Sequence, residues 1–185
     1  MEPGLIATLV DALSMLAARG MPAAVIGGLA VSLRGQPRMT VDVDIVAIAD
    51  VDQALALARD SADTPFTPLF PGVEEVVSRS FILPLRHRTT GIRVDLAIGL
   101  SGFERQAVAR ATPVLVGGIA VPVVAAIDLL VMKALAGRPQ DEADLRTIIT
   151  AQGDSLDWDA CLRLARELGA AVDVDIVGRL SAARG

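Results

Sequence analysis

Two aspartates stand two residues apart in the run Val41-Asp-Val-Asp-Ile-Val46. Such alternation is the period of a β-strand, so Asp42 and Asp44 share one face while Val41, Val43 and Ile45 take the other. Two carboxylates held that close repel each other, and a shared divalent cation is the best relief. Upstream, a short apolar run from Met21 to Ile26 ends in Gly27-Gly28 and is followed by the helical beginning Leu29 to Leu33. Glycines at a strand end that opens a helix let backbone N–H groups approach a phosphate, with the helix dipole favouring the anion. A third carboxylate, Asp95, occurs in the later run Arg93-Val-Asp-Leu-Ala-Ile98, where Arg93, Asp95 and Ala97 share a side. Three carboxylates converging beside a phosphate cradle meet the needs of two-metal nucleotidyl transfer. Asp42 and Asp44 would bridge the metals, and Asp95 would bind the metal next to the acceptor and take its proton.

The elements that must position these groups are legible in outline. Leu5, Leu9, Leu13, Leu16 and Ala17 recur at helical spacing, and Gly20 stops that helix. Gly35 and Pro37 end the helix that follows Gly28, while Val51 to Arg59 reads as another helix. Residues 61–75, rich in Pro, Thr, Gly and acid, read as a long loop. Phe81 to Leu85 and Gly91 to Ile98 read as strands around a basic turn, in which Arg86 and Arg88, with Arg93, are candidate contacts for an acceptor. Gly117-Gly118 predicts a hairpin turn. Helices are expected from about Asp128 to Ala136, beyond Pro139, and through the last thirty or so residues. Asp141 reads as part of an exposed helix start.

Composition excludes several classes of function. Of the 185 residues 52% are hydrophobic and 21% charged, with a mean hydropathy of +0.53, which is a globular composition and not a disordered one. One cysteine, Cys161, and one histidine, His87, provide neither an internal disulfide nor a Cys/His zinc site. Any catalytic metal must therefore sit on carboxylates. His87 lies between Arg86 and Arg88 and reads as a surface residue, which sets aside Ser-His-Asp and Cys-His chemistry. A net charge of -5 argues against a broad nucleic-acid-binding surface. The longest uncharged stretch, Ala111 to Ile127, contains Pro113, Gly117, Gly118 and Pro122 and suits a hairpin, not a membrane span. Asp11 interrupts the first apolar run, which reads as an amphipathic helix and not a signal peptide. A soluble, cytoplasmic protein without membrane partners is expected.

The chain contains its own control. Val41 to Val46 recurs letter for letter as Val172-Asp-Val-Asp-Ile-Val177, but without an upstream glycine turn and among helical patterns. There an exposed position or a helix cap explains the aspartates better. Only residues 27–44 combine glycine turn and acidic strand in order.

Gly-Gly, then Arg38-x-Thr40-x-Asp42-x-Asp44, then a hydrophobic-Asp95-hydrophobic strand, resembles the polymerase-beta-type nucleotidyltransferase superfamily in its minimal form. The segment Asp128 to Asp144 is similar to the helical Lys…Arg…Asp…Asp segment of the AbiEii-type abortive-infection toxin nucleotidyltransferases and their small relatives. The resemblance spans about residues 5–150. It implies an α+β nucleotidyltransferase fold, with a mixed β-sheet carrying the carboxylates between flanking helices. Residues 1–125 would form the core, and 126–185 a helical C-terminal segment packed on it. It also implies Mg2+ and an NTP cosubstrate, with the nucleotide passing to an acceptor that in some relatives is a tRNA 3′ end.

By that resemblance Gly27 and Gly28 match the phosphate-cradling turn, although many members have Gly-Ser there. Asp42, Asp44 and Asp95 match the metal-binding carboxylates, and Arg38 and Thr40 are candidate phosphate contacts. Lys133 matches a helical lysine that reaches the triphosphate, and Asp144 an acidic position that orients it. Lys133 is the only lysine in a chain otherwise supplied with arginine, consistent with a need for a compact ammonium. The alternatives are a small-molecule, antibiotic-type nucleotidyltransferase, and a non-catalytic member of this fold partnering a cognate antitoxin in a toxin–antitoxin pair. Nothing in the sequence supports a dehydrogenase, because the glycine turn lacks the spacing of a dinucleotide fingerprint.

Overall fold

Around Asp42 the side chains alternate as a half-buried strand requires. Over β2 (Asp42–Ala47), Val43 and Ile45 are fully buried while Asp42 and Asp44 lie half-buried on the opposite face. The computed structural model describes residues 2–37 and 39–185, so Arg38 lies outside the described residues. The chain divides into two units. One takes Met1–Leu29, where described, with Thr40–Val123; the other takes Ala30–Met39, again where described, with Val124–Gly185.

The first unit is built on a mixed seven-stranded sheet among the described residues. Helix α1 (Pro3–Ala17) buries Leu5, Leu9, Ala12, Met15 and Leu16, and packs on β1 (Ala23–Val25) and β2. Gly27–Leu29 begin helix α2 (Gly27–Arg34) just after β1, and the rest of that helix belongs to the second unit. From β2 the chain passes through α3 (Val51–Arg59), β3 (Phe66–Pro68) and α4 (Val73–Ser80) to β4 (Ile82–His87) and β5 (Arg93–Ile98). That excursion is the crossover a parallel β2–β5 pair needs. Helix α5 (Gly102–Ala109) leads to β6 (Thr112–Val116) and β7 (Ile119–Val123), joined at Gly117-Gly118. Both glycines have positive φ, 59° and 85°, as a two-residue hairpin turn demands. The strand order is β3-β4-β5-β2-β1-β7-β6, which places β2 at the centre. Beneath the carboxylate-bearing face, Val43, Ile45, Val94 and Leu96 join Leu83 and Leu85 in the core.

Two expectations fail in this unit. The stretch 61–75 is not one long loop, since it contains β3, paired antiparallel with β4, and the start of α4. A single large apolar residue, Phe66, anchors that strand by complete burial, and the polar residues around it mask the signal. His87 is also not a surface residue. It is 3% exposed, its ring lies 5.1 Å from that of Phe66, and its Nε2 and Nδ1 meet Asp11 Oδ2 at 3.0 Å and Thr90 Oγ1 at 2.9 Å. Both ring nitrogens are thereby satisfied, which is why a histidine flanked by arginines can be buried.

The second unit is helical. Helix α6 (Ala126–Ala136) buries Leu129, Leu130, Val131 and Ala134 and packs against α7 (Pro139–Gln152), α8 (Trp158–Val172) and α9 (Ile176–Arg184). Gly137 ends α6 with φ 60°, and Arg179 Nη1 caps it by donating to the carbonyls of Ala134 at 2.7 Å and Leu135 at 3.0 Å. The second Val-Asp-Val-Asp-Ile-Val run makes the α8–α9 junction. Asp173 turns the chain with φ 55°, and Asp175 Oδ1 accepts from Gly178 N–H at 2.7 Å as the N-cap of α9. Among the described residues no helix is long and apolar enough to cross a membrane.

Candidate active site

The register of β2 and β5 brings the acidic residues together. Asp44 is the register partner of Asp95, and Asp42 that of Arg93. Neighbouring strands lie about 4.8 Å apart, so residues paired in register on one face are side-chain neighbours. On β5 Val94 and Leu96 are buried, which leaves Arg93, Asp95 and Ala97 on the same face as Asp42 and Asp44. Three carboxylates from two strands, far apart in sequence, thus share a small area of sheet.

The glycine turn meets this area from β1. Antiparallel pairing of Val25 with Ile45 aligns the end of β1 with the acidic stretch of β2, and Ile26 N–H donates to Asp44 O at 3.0 Å. Gly27 then adopts φ 64° to enter α2. A Cβ built on Gly27 would overlap the Asp44 carboxylate, so this position requires glycine twice over. The Gly28 N–H, at the positive end of α2, donates to Asp44 Oδ2 at 3.3 Å. Thr40 Oγ1 donates to Asp42 Oδ1 at 3.2 Å and to Asp42 O at 3.3 Å, fixing the entry to β2.

Arg93 brings a cation to this face. Its Nε donates to Asp95 Oδ1 at 2.8 Å. That hydrogen bond, with the negative charges of Asp95, Asp42 and Asp44, holds the guanidinium pKa above its ordinary value against a smaller opposing effect of burial. Arg86 and Arg88 are used differently, donating to Gly91 O at 2.9 Å and Thr64 O at 3.1 Å. As the side chains stand, no three acidic, histidine or cysteine side chains among the described residues close around a single point.

Lys133 and Asp144 belong to the second unit. The Lys133 ammonium is 4% exposed and sits 3.0 Å from Asp141 Oδ1 and 2.8 Å from Asp144 Oδ2. Asp141 corrects its expectation, being fully buried instead of exposed at a helix start. It stands at the third position of α7, and its Oδ2 accepts from both the backbone N–H and the Nε of Arg138, at 3.0 and 2.8 Å. Burial works against its ionised form, but the hydrogen bonds from Arg138 and Lys133 outweigh that and bring its pKa below the ordinary value. The signal that could have revealed this buried ion cluster is the lone lysine one turn before Gly137, with acids following at helical spacing.

Comparison with solved structures shows which fold carries this arrangement. An antigenic nucleotidyltransferase-like protein from Paracoccidioides brasiliensis superposes with a TM-score of 0.54 at 19% identity, covering 98% of this chain and 94% of its own. This chain has the nucleotidyltransferase fold. The antibiotic-resistance factor ANT(2'')-Ia, solved with adenylyl-2''-tobramycin, gives a TM-score of 0.58 at 12% identity over 90% of this chain and 98% of its own. The lincosamide antibiotic adenylyltransferase LnuA, solved with lincomycin, gives 0.50 at 12% identity over 80% and 96%. No protein-family model matches the chain, and no curated protein matches it in sequence. The nucleotidyltransferase fold here consists of the mixed sheet with its flanking helices, together with the helical C-terminal region.

Proposed function

We propose that this protein transfers a nucleoside monophosphate from an Mg2+-bound NTP to a hydroxyl group of a small-molecule acceptor, releasing pyrophosphate. The observation that carries the reading is the pairing of Asp44 with Asp95 in register, on the face shared with Asp42 and met by the Gly27-Gly28 turn. The donor set fits the metal: carboxylate oxygens are what Mg2+ takes, and the face already attracts a cation in Arg93. Bound on Asp42, Asp44 and Asp95, Mg2+ would add positive charge at the α-phosphoryl group and lower the pKa of the attacking hydroxyl. Asp95 is the group proposed to accept the hydroxyl proton as the new phosphorus–oxygen bond forms and the bond to the leaving pyrophosphate breaks. The start of α2 at Gly27 and Gly28 supplies backbone N–H groups for phosphate. Thr40 and Arg38, which lead into β2, are proposed to contact phosphate. By the resemblance, Lys133 and Asp144 of the second unit are proposed as nucleotide-binding residues.

A small acceptor is favoured over RNA by the net charge of -5 and by the use of Arg86, Arg88 and Arg93 within the fold. ANT(2'')-Ia and LnuA, both described by their action on or binding to antibiotics, make that compound class the first to try. The AbiEii-type likeness of residues 128–144 makes a tRNA 3′ end the second reading, with a cognate antitoxin as the partner it would bring. A non-catalytic role is disfavoured because all three carboxylates are present. The test is incubation with Mg2+, each α-labelled NTP in turn, an aminoglycoside and lincosamide panel, and total tRNA. The expected result is a labelled small molecule with pyrophosphate release, lost at least roughly a thousandfold in Asp44→Ala, since several kcal/mol of transition-state stabilisation is removed. Label in tRNA would favour the second reading, whereas transfer that survives Asp44→Ala would end both.

A further inference from the structure

The candidate site contains a cation of the protein's own. Arg93 stands beside Asp42 in register, and its guanidinium donates to Asp95 Oδ1 at 2.8 Å. The negative charges of Asp42 and Asp44 act on it as well. Neither the register nor the fold requires this choice, since Arg93 is half exposed and any residue able to extend a strand would serve at its position. We propose that Arg93 is a built-in competitor of the divalent cation, holding the Asp95 carboxylate until metal takes its place. The inference rests on the metal-binding reading above and adds a positioning residue that sets metal affinity.

The chemistry runs as an exchange of partners with no change in covalent bonding. Asp95 Oδ1 accepts the Nε–H of Arg93, and a divalent cation on that carboxylate would stand against the guanidinium charge, so the two cations compete for it. Removing the guanidinium frees that oxygen, so the cation binds more tightly to the variant than to the parent. Arg93 and Asp95 are only partly shielded from water, which limits the gain to that of an exposed ion pair, roughly two- to fivefold in affinity.

The probe is Mn2+ alone, its free concentration followed by electron paramagnetic resonance during titration of the full chain. Arg93→Gln is expected to bind Mn2+ two- to fivefold more tightly than the parent, and the gain is expected to vanish when Arg93→Gln is placed on Asp95→Asn. Arg93→Met, which removes both the charge and every donor, is expected to gain in the same direction and decides the matter should Arg93→Gln melt early. Equal or weaker binding in the Arg93 variants would overturn the competition while leaving the metal reading intact. So would an equal gain on the Asp95→Asn background, because the arginine would then act only through bulk charge. No Mn2+ binding in any variant would overturn the competition and the metal reading together.

Discussion

The carboxylate of Asp44 occupies the space that a side chain on Gly27 would need. Gly27 opens α2 just beyond β1 while Asp44 lies in β2, and they meet only because β1 and β2 pair antiparallel. Gly27→Ala is therefore burdened twice, by a left-handed backbone at φ 64° and by the displacement of Asp44. We expect a stability loss of about 2–3 kcal/mol by denaturant titration and a loss of transfer far beyond what that destabilisation explains. Gly20 is the control, with φ 66° and no atoms near its Cβ position. Gly20→Ala is expected to lose about 1 kcal/mol and to keep full transfer activity.

The twin Val-Asp-Val-Asp-Ile-Val runs permit a matched comparison. Asp44→Ala removes a candidate metal ligand from the sheet, whereas Asp175→Ala removes an N-cap from α9. The second substitution should lower stability by about 1 kcal/mol and leave transfer unchanged. The first should abolish transfer with a smaller effect on the melting temperature, because it also relieves the repulsion between Asp44 and Asp95. Melting curves and transfer assays on the two variants check this together.

Lys133, Asp141 and Asp144 form a buried group of charges in which each depends on the others. Lys133→Met leaves two buried carboxylates without their ammonium and is expected to destabilise the chain by about 3–5 kcal/mol. The pH dependence follows from Asp141, whose carboxyl is held below its ordinary value near 3.8. A depressed carboxyl contributes stability that is present above its unfolded pKa and is lost as pH falls through its folded pKa. Asp141→Asn should therefore lose stability at neutral pH and show a shallower decline below about pH 4. Denaturant titrations from pH 3 to pH 7 would show the two slopes.

Cys161 is fully buried, and that burial, with lesser contributions from Asp128 and Asp157, pushes its thiol up to about 12. Its thiolate is thus scarce at neutral pH, and the thiol should resist iodoacetamide in the native chain. Alkylation is expected only at the rate of unfolding or opening, and to become rapid in denaturant. Fast labelling of the native chain at pH 8 would contradict the packing of α8.

Local elements were legible because their signals are local. The alternation of Val43 and Ile45 with the aspartates sets β2, the apolar face of α1 and the helical run Val51 to Arg59 declare themselves, and Gly117-Gly118 marks a hairpin that the structure contains. Phe66 escaped notice because one buried aromatic in polar surroundings has no period. His87 and Asp141 escaped because their burial depends on distant partners, Asp11 and Lys133, that neutralise their polarity.

The repeated hexapeptide marks the boundary most clearly. The same six letters lead into and form most of the acidic strand at 41–46 and make a helix junction at 172–177. Residue order alone thus determined which side chains could work together: two aspartates on one face, glycines able to bend sharply, and no competing thiol or imidazole chemistry. It could not determine that Asp95 stands beside Asp44, or that Arg93 lies among the three carboxylates. Those neighbours come from the parallel register of two strands some fifty residues apart. Strand register is set by the burial of one whole sheet face against its helices, an interaction that exists only once the chain has folded.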